Sequence, residues 1–166
     1  MSLLLAGMGF SVSAGDLSES MIQIARQKVA QAGQSISVDR LDVEDLSCVD
    51  RSYDTVLCFR LFHHFPDRGI RRTAVRELCR VASGHVALSY LSPVCLGSIK
   101  GRVRRALGGR KSKKSRTALS EVEGYFRENG FRLVRDYAQC RCLHSLHLAV
   151  FASTRLPSAG TTPDVG

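Results

Sequence analysis

The chain has no Lys or Arg before Arg26, so the positively charged start of an export signal is missing. No apolar run approaches the roughly 18 residues that cross a bilayer. Leu3 to Leu5 are therefore expected to belong to the end of a buried helix, and the protein is expected to be cytoplasmic. None of the six cysteines has CxxC spacing, which argues against a redox pair or a zinc ribbon. They read as reduced thiols used as small core hydrophobes. Cys140, Cys142, His144 and His147 are the one cluster that invites a metal reading, but their spacing matches no zinc module, and no metal is expected.

Acids are missing from one long interval, Leu78 to Ser120. Within it, Lys100 to Arg116 holds nine of the 24 Lys and Arg residues. The remaining 15 balance the 15 acids, so the whole net charge of +9 is local to one segment. No aromatic residue falls inside that segment, which leaves nucleic acid without a stacking platform. Leu96, Ile99, Val103 and Leu107 have helical spacing, with Lys100, Arg102, Arg104 and Arg105 on other faces. Three readings stay open: a solvated loop, a surface for an anionic membrane or anionic acceptor, and, less favoured, nucleic-acid binding.

What is present is an alternation of strands and helices. Phe10 to Asp16 reads as a strand ending in an acid, and Ser18 as the N-cap of a helix with Met21, Ile22, Ala25 and Val29 inward, stopped at Gly33. Ile36 to Asp42 is a second strand ending in an acid. Tyr53 to Phe62 contains a third, apolar enough to be buried on both faces. A helix follows Pro66-Asp67, with Ile70, Ala74, Leu78 and Val81 inward, and Gly84 to Leu91 is a fourth strand. Ser120 and Glu123 have capping-box spacing before a stripe of Leu119, Val122 and Phe126, and Gly130 closes that helix. Two strands, "FRLVRDYAQ" and "LHLAVFAS", end the domain at about residue 153. Residues 154–166 read as a disordered tail. The pattern is an α/β domain with a mainly parallel sheet and a terminal antiparallel strand. In such sheets ligands bind at the carboxyl ends of the strands.

The runs "SAGDLSESMIQIARQK", "LDVEDLSCVDRSYDTVLCFRLFHHFPD" and "RELCRVASGHVALS" resemble successive motifs of class I S-adenosylmethionine-dependent methyltransferases, in the group that includes the quinone-biosynthesis enzymes. The resemblance runs from about Gly9 to Phe151 and implies a Rossmann-like sheet with S-adenosyl-L-methionine as cofactor. It implies that Asp16 binds the ribose hydroxyls and that Leu17 packs near the adenine. Asp42 and the backbone of Val43 would read the adenine amino group, and Phe59 would lie beside the methionine part. Arg60, His63 and His64 are the catalytic or acceptor-side candidates, the histidines resembling the family's "LHH" signature. The basic segment, about residues 94–117, falls where the family places substrate-covering insertions. A small-molecule or lipid-like methyl acceptor is therefore expected, and the chain would be cytoplasmic or peripheral to a membrane.

The same family begins with a strand and a glycine-rich loop that have no counterpart here. Gly7 to Gly9 do not supply them, because the loop needs a strand before and a helix after, and here the order is reversed. The chain is thus expected to be an N-terminally shortened methyltransferase that binds the cofactor weakly or not at all. The alternative is a non-catalytic remnant that binds membrane or nucleic acid through its basic segment.

Overall fold

The computed structural model describes residues 1–93, 115–138 and 146–155. They fall into two compact units, Met1–Ser47 and the chain from Cys48 onward.

In the first unit, α1 (Ser2–Gly7) leads to β1 (Ser13–Asp16), α2 (Glu19–Gln31) and β2 (Ser37–Arg40). β1 and β2 pair in parallel, with Ser13 opposite Ser37 and Asp16 opposite Arg40. Ile22, Ile36 and Val38 form the core, and Leu3, Ala6, Val12, Ala14, Ala25 and Val29 pack against them. The expected buried N-terminal helix is only half-buried, with Leu4 63% exposed, and Met21 points outward rather than inward. The "GMG" stretch is a helix stop. Gly9 N–H bonds to Ala6 O, Phe10 N–H bonds to Leu5 O, and Gly9 has φ of 90°. This reversed-turn ending needs a left-handed residue after the C-cap, which glycine adopts without a Cβ clash. The helix-then-strand order around Gly7 to Gly9 agrees with their rejection as a nucleotide loop.

In the second unit the elements are β3 (Tyr53–Cys58), a 3-10 turn (Phe62–His64), α3 (Arg68–Val81), β4 (Ala82–Leu91), α4 (Leu119–Glu128), β5 (Phe131–Ala138) and β6 (Leu146–Ser153). The sheet order is β3-β4-β6-β5. β3 is parallel to β4, and β6 lies antiparallel between β4 and β5. The α/β Rossmann-like class expected from the pattern is the class observed, and the strands pair in two separate sheets. Asp67 caps α3, its Oδ1 accepting from Gly69 N at 2.7 Å and Ile70 N at 3.1 Å.

The buried face of α3 is Arg71, Ala74, Val75 and Leu78, with Glu77, Cys79 and Val81, while Ile70 is only half-buried. No capping box forms at Ser120. α4 starts from Ala118 without a side-chain cap, and its first-turn acid Glu121 turns to Arg71 instead. Phe126 of α4 stacks on Phe151 of β6 with ring centres 3.7 Å apart. Cys58 and Cys79 are buried, and burial pushes each thiol up to about 12. Both therefore stay protonated as core hydrophobes. Cys140, Cys142, His144, most of the basic segment and the tail from residue 156 lie outside the described residues.

Candidate functional site

Each strand of the first unit has, at its end or just past it, a carboxylate bonded to a nearby backbone amide. Asp16 closes β1 and its Oδ1 accepts from Ser18 N at 2.9 Å. Asp42 lies two residues past the end of β2, and its Oδ1 accepts from Glu44 N at 3.0 Å. Both are Asx turns, in which an Asp side chain imitates a backbone turn. A carboxylate offers about four lone-pair sites. Each turn uses one of them, so both exposed acids keep acceptor capacity at neighbouring strand ends. The register also separates Asp42 from Asp39, which sits inside β2 opposite Gly15. Ser18 takes the N-cap position without a side-chain cap bond, and Asp16 orders that turn in its place. Gly15 is required by packing, since a Cβ there would lie 2.5 Å from Leu41 Cδ1. Leu17 is 55% exposed beside Asp16, and Val43 is half-buried beside Asp42.

The second unit gathers the other candidates at the carboxyl ends of β3 and β4. Phe59 follows β3 and is 44% exposed. Arg60 has φ of 59°, a left-handed conformation that costs a non-glycine residue about 1–3 kcal/mol. The fully buried Ser89 on β4 stabilises it, its Oγ accepting from Arg60 N at 2.6 Å. Replacing Ser89 by alanine is expected to strand this amide and cost about 1–3 kcal/mol. Adding Arg60→Gly should recover part of the loss, and a double-mutant cycle by urea unfolding measures the coupling.

His63 is buried and His64 exposed, with rings 4.2 Å apart. The His63 carbonyl accepts from Ser115 N at 2.9 Å, and the Leu91 carbonyl accepts from Thr117 N at 2.9 Å, so the chain returning from the basic segment is fastened here. Arg71 secures the same turn from below. Its guanidinium donates to the Phe65 and Pro66 carbonyls at 2.7 and 2.9 Å and to Glu121 Oε1 at 2.8 Å. Tyr125 donates to the same Glu121 oxygen at 2.7 Å. Burial pushes the Glu121 carboxyl up, but the bonds from Tyr125 and Arg71 and the charges of Arg71 and Arg68 outweigh it and hold it low. None of Ser89, Arg71 or Glu121 is marked by a sequence motif. The nearest signal is Arg71 standing three residues before Ala74 on the inward stripe.

One cavity in this unit, of about 380 Å³, is lined by Arg51, Arg80, Gly130 and Ser153 at the opposite end of the sheet, and another, of about 660 Å³, is lined by Arg68, Arg72, Glu121 and Tyr125. In the first, Arg80 is already paired with Glu77 at 2.8 Å and Asp50 at 2.6 Å, which weakens any claim on an anion. Among the described residues no helix is long and apolar enough to cross a membrane.

Residues 1–84 match a family model described as a methyltransferase domain. Over 136 residues the chain is 28% identical to a chloroplastic magnesium protoporphyrin IX methyltransferase of Arabidopsis thaliana, covering 80% of this chain and 43% of that protein. Over 64 residues it is 33% identical to a ubiquinone biosynthesis O-methyltransferase of Thiobacillus denitrificans, covering 38% of this chain and 28% of that protein. The chain thus spans less than half the length of these two relatives. Among solved structures, magnesium protoporphyrin IX methyltransferase from Synechocystis with bound SAH superposes with a TM-score of 0.81 at 21% identity, covering 92% of this chain and 68% of that one. A SAM-dependent methyltransferase from Methanosarcina mazei gives 0.76 at 17% identity, covering 92% and 86%. At these identities the structures establish the shared fold.

Proposed function

Because the chain belongs to the class I S-adenosylmethionine-dependent methyltransferase family, we propose that its strand ends serve methyl transfer from S-adenosylmethionine to a small-molecule acceptor. The observation that carries this reading is the pair of Asx turns at Asp16 and Asp42. Each fixes a carboxylate at a strand end while leaving oxygen lone pairs for a ligand, which is what recognition of neighbouring hydroxyls and an amino group requires. Asp16 would hold the ribose, with Leu17 against the adenine face. Asp42 and the Val43 backbone would meet the adenine edge. When bound, the cofactor supplies an electrophilic methyl group on a sulfonium sulfur.

Phe59 and Arg60 stand at the acceptor side. The Ser89 bond fixes the backbone of Arg60, so its exposed guanidinium is held on a constrained turn where it could meet an anionic acceptor. His64 is accessible for proton transfer, and the buried His63 orients the turn. The relatives named for protoporphyrin and ubiquinone biosynthesis support a small-molecule acceptor. A lipid-like acceptor on an anionic surface, met through Lys100 to Arg116, is the finer form of the proposal.

Titration of the full chain with S-adenosylhomocysteine, followed by amide NMR, tests the cofactor site even when binding is weak. Shifts are expected at the Ser18 and Glu44 amides. Asp16→Asn keeps the turn but removes the charge, and should raise the dissociation constant about tenfold or more, since a bond to a charged group contributes about 1.5–3 kcal/mol. Unchanged affinity in this variant removes Asp16 from the site.

A further inference from the structure

β5 carries a bulge. Leu133 pairs with Phe151, but Arg135 pairs with Val150 and Asp136 with Ala149. The extra residue, Val134, shifts the register by one, and a one-residue shift turns every later side chain to the other face. Asp136 therefore lies on the inner face, the same face as Ala149, His147 and Phe151. There its Oδ2 is 2.8 Å from His147 Nδ1, and both side chains are 7% exposed. Tyr90, directly opposite His147 on β4, places its hydroxyl 3.4 Å from the same nitrogen. Tyr90 is next in sequence to Ser89, which holds Arg60, so the imidazole lies at the end of the sheet that carries Arg60 and His63.

In the neutral imidazole a carboxylate facing Nδ1 favours the tautomer with its proton on that nitrogen, and Nε2 is then the acceptor. Among the described residues, His147 Nε2 and Asp136 Oδ1 are buried with no hydrogen-bond partner. Buried polar atoms without partners are rare in native proteins, and each one calls for an explanation.

We infer that His147 Nε2 accepts a hydrogen bond, and then the proton, from a hydroxyl on the methyl acceptor, with Asp136 as its positioning residue. This rests on the methyl-transfer reading of the same end of the sheet. The acceptor oxygen forms its bond to the methyl carbon as the carbon–sulfur bond breaks, and the sulfur keeps that electron pair. The hydroxyl proton passes to Nε2. The positive charge leaves the sulfonium and reappears on the imidazolium, where the Asp136 carboxylate stabilises it. The inference also assigns the acceptor class. A carboxylate acceptor is already anionic, needs no base, and would set lone pair against lone pair at Nε2. A phenol or enol hydroxyl supplies the missing donor.

Nitrogen NMR of the histidine-labelled full chain reads this without turnover. The free protein should show His147 as the Nδ1–H tautomer with an unprotonated Nε2. Phenol, the simplest aryl hydroxyl, should shift that Nε2 signal, and benzoate, with the same ring and a carboxylate, should leave it unmoved. Asp136→Asn should move the proton to Nε2 and abolish the phenol response. His147→Asn, which keeps a donor toward Asp136 while removing Nε2, identifies the signal. An Nε2–H tautomer in the free chain, silence toward phenol, or a response to benzoate instead would each overturn the inference. The wild-type spectra suffice for all three even where a variant fails to fold. Failure of the parent reading is read separately, at the Ser18 and Glu44 amides during the S-adenosylhomocysteine titration.

Discussion

Arg71→Met is expected to destabilise the second unit by about 3–5 kcal/mol, because removing one partner of a buried ion pair leaves the other uncompensated. Arg71 is 5% exposed, and without it Glu121 would keep the Tyr125 hydroxyl but, as a cation, only the more solvated Arg68 at 3.6 Å. Two backbone carbonyls, at Phe65 and Pro66, would lose their donor as well. Those carbonyls directly follow the His63-His64 turn, so the variant should also loosen the candidate acceptor side. Chemical denaturation gives the stability loss, and faster amide exchange at residues 62–65 gives its location.

The same network sets a pH dependence whose sign follows from Glu121. Its carboxyl is held below its ordinary value in the folded protein. A group lowered on folding contributes stability that is fully present above its unfolded pKa, about 4.3 for Glu. That stability is lost as pH falls through the lower folded value. Acid should therefore weaken the wild type across this window. Glu121→Gln should be less stable at neutral pH and less sensitive to acid, which parallel melts at pH 7 and pH 3.5 would reveal.

Phe126→Ala is the second large effect, expected at about 3–5 kcal/mol for a fully buried aromatic side chain. Phe126 is 0% exposed, stacked on Phe151 at 3.7 Å and edge-on to Phe131 at 6.4 Å. The loss combines apolar burial with a cavity that a rigid sheet face cannot close. Set against a typical total of about 5–15 kcal/mol, it would take roughly a fifth or more of the stability of an average domain. The consequence should reach the proposed base, since Phe151 and His147 share one face of β6. Urea unfolding gives the magnitude, and the His147 ring signals report whether its tautomer survives.

Much of this protein could be read from its sequence. Periodicity located the helices and strands, and Gly9 and Asp67 marked a helix end and a helix start through purely local bonds. The acids Asp16 and Asp42 were visible as strand-end residues, because an Asx turn is built within three residues of its own side chain. Order and spacing of these short motifs were enough to identify the family.

What stayed hidden depends on partners far apart in sequence. Arg71 reads as an ordinary helix-surface residue until Glu121, 50 positions away, is placed against it. Ser89 gains its role only when β4 lies beside the end of β3. His147 reads as a member of a loose Cys/His cluster, and a regular period-2 strand would place Asp136 outward, away from Leu133. The bulge at Val134 decides otherwise, and a bulge is a property of two paired strands rather than of one. Local chemistry thus determined the elements, their ends and the family. Only pairing and packing across the fold decided which polar groups were buried together, because the cost of burying them is settled by partners that the chain brings together only on folding.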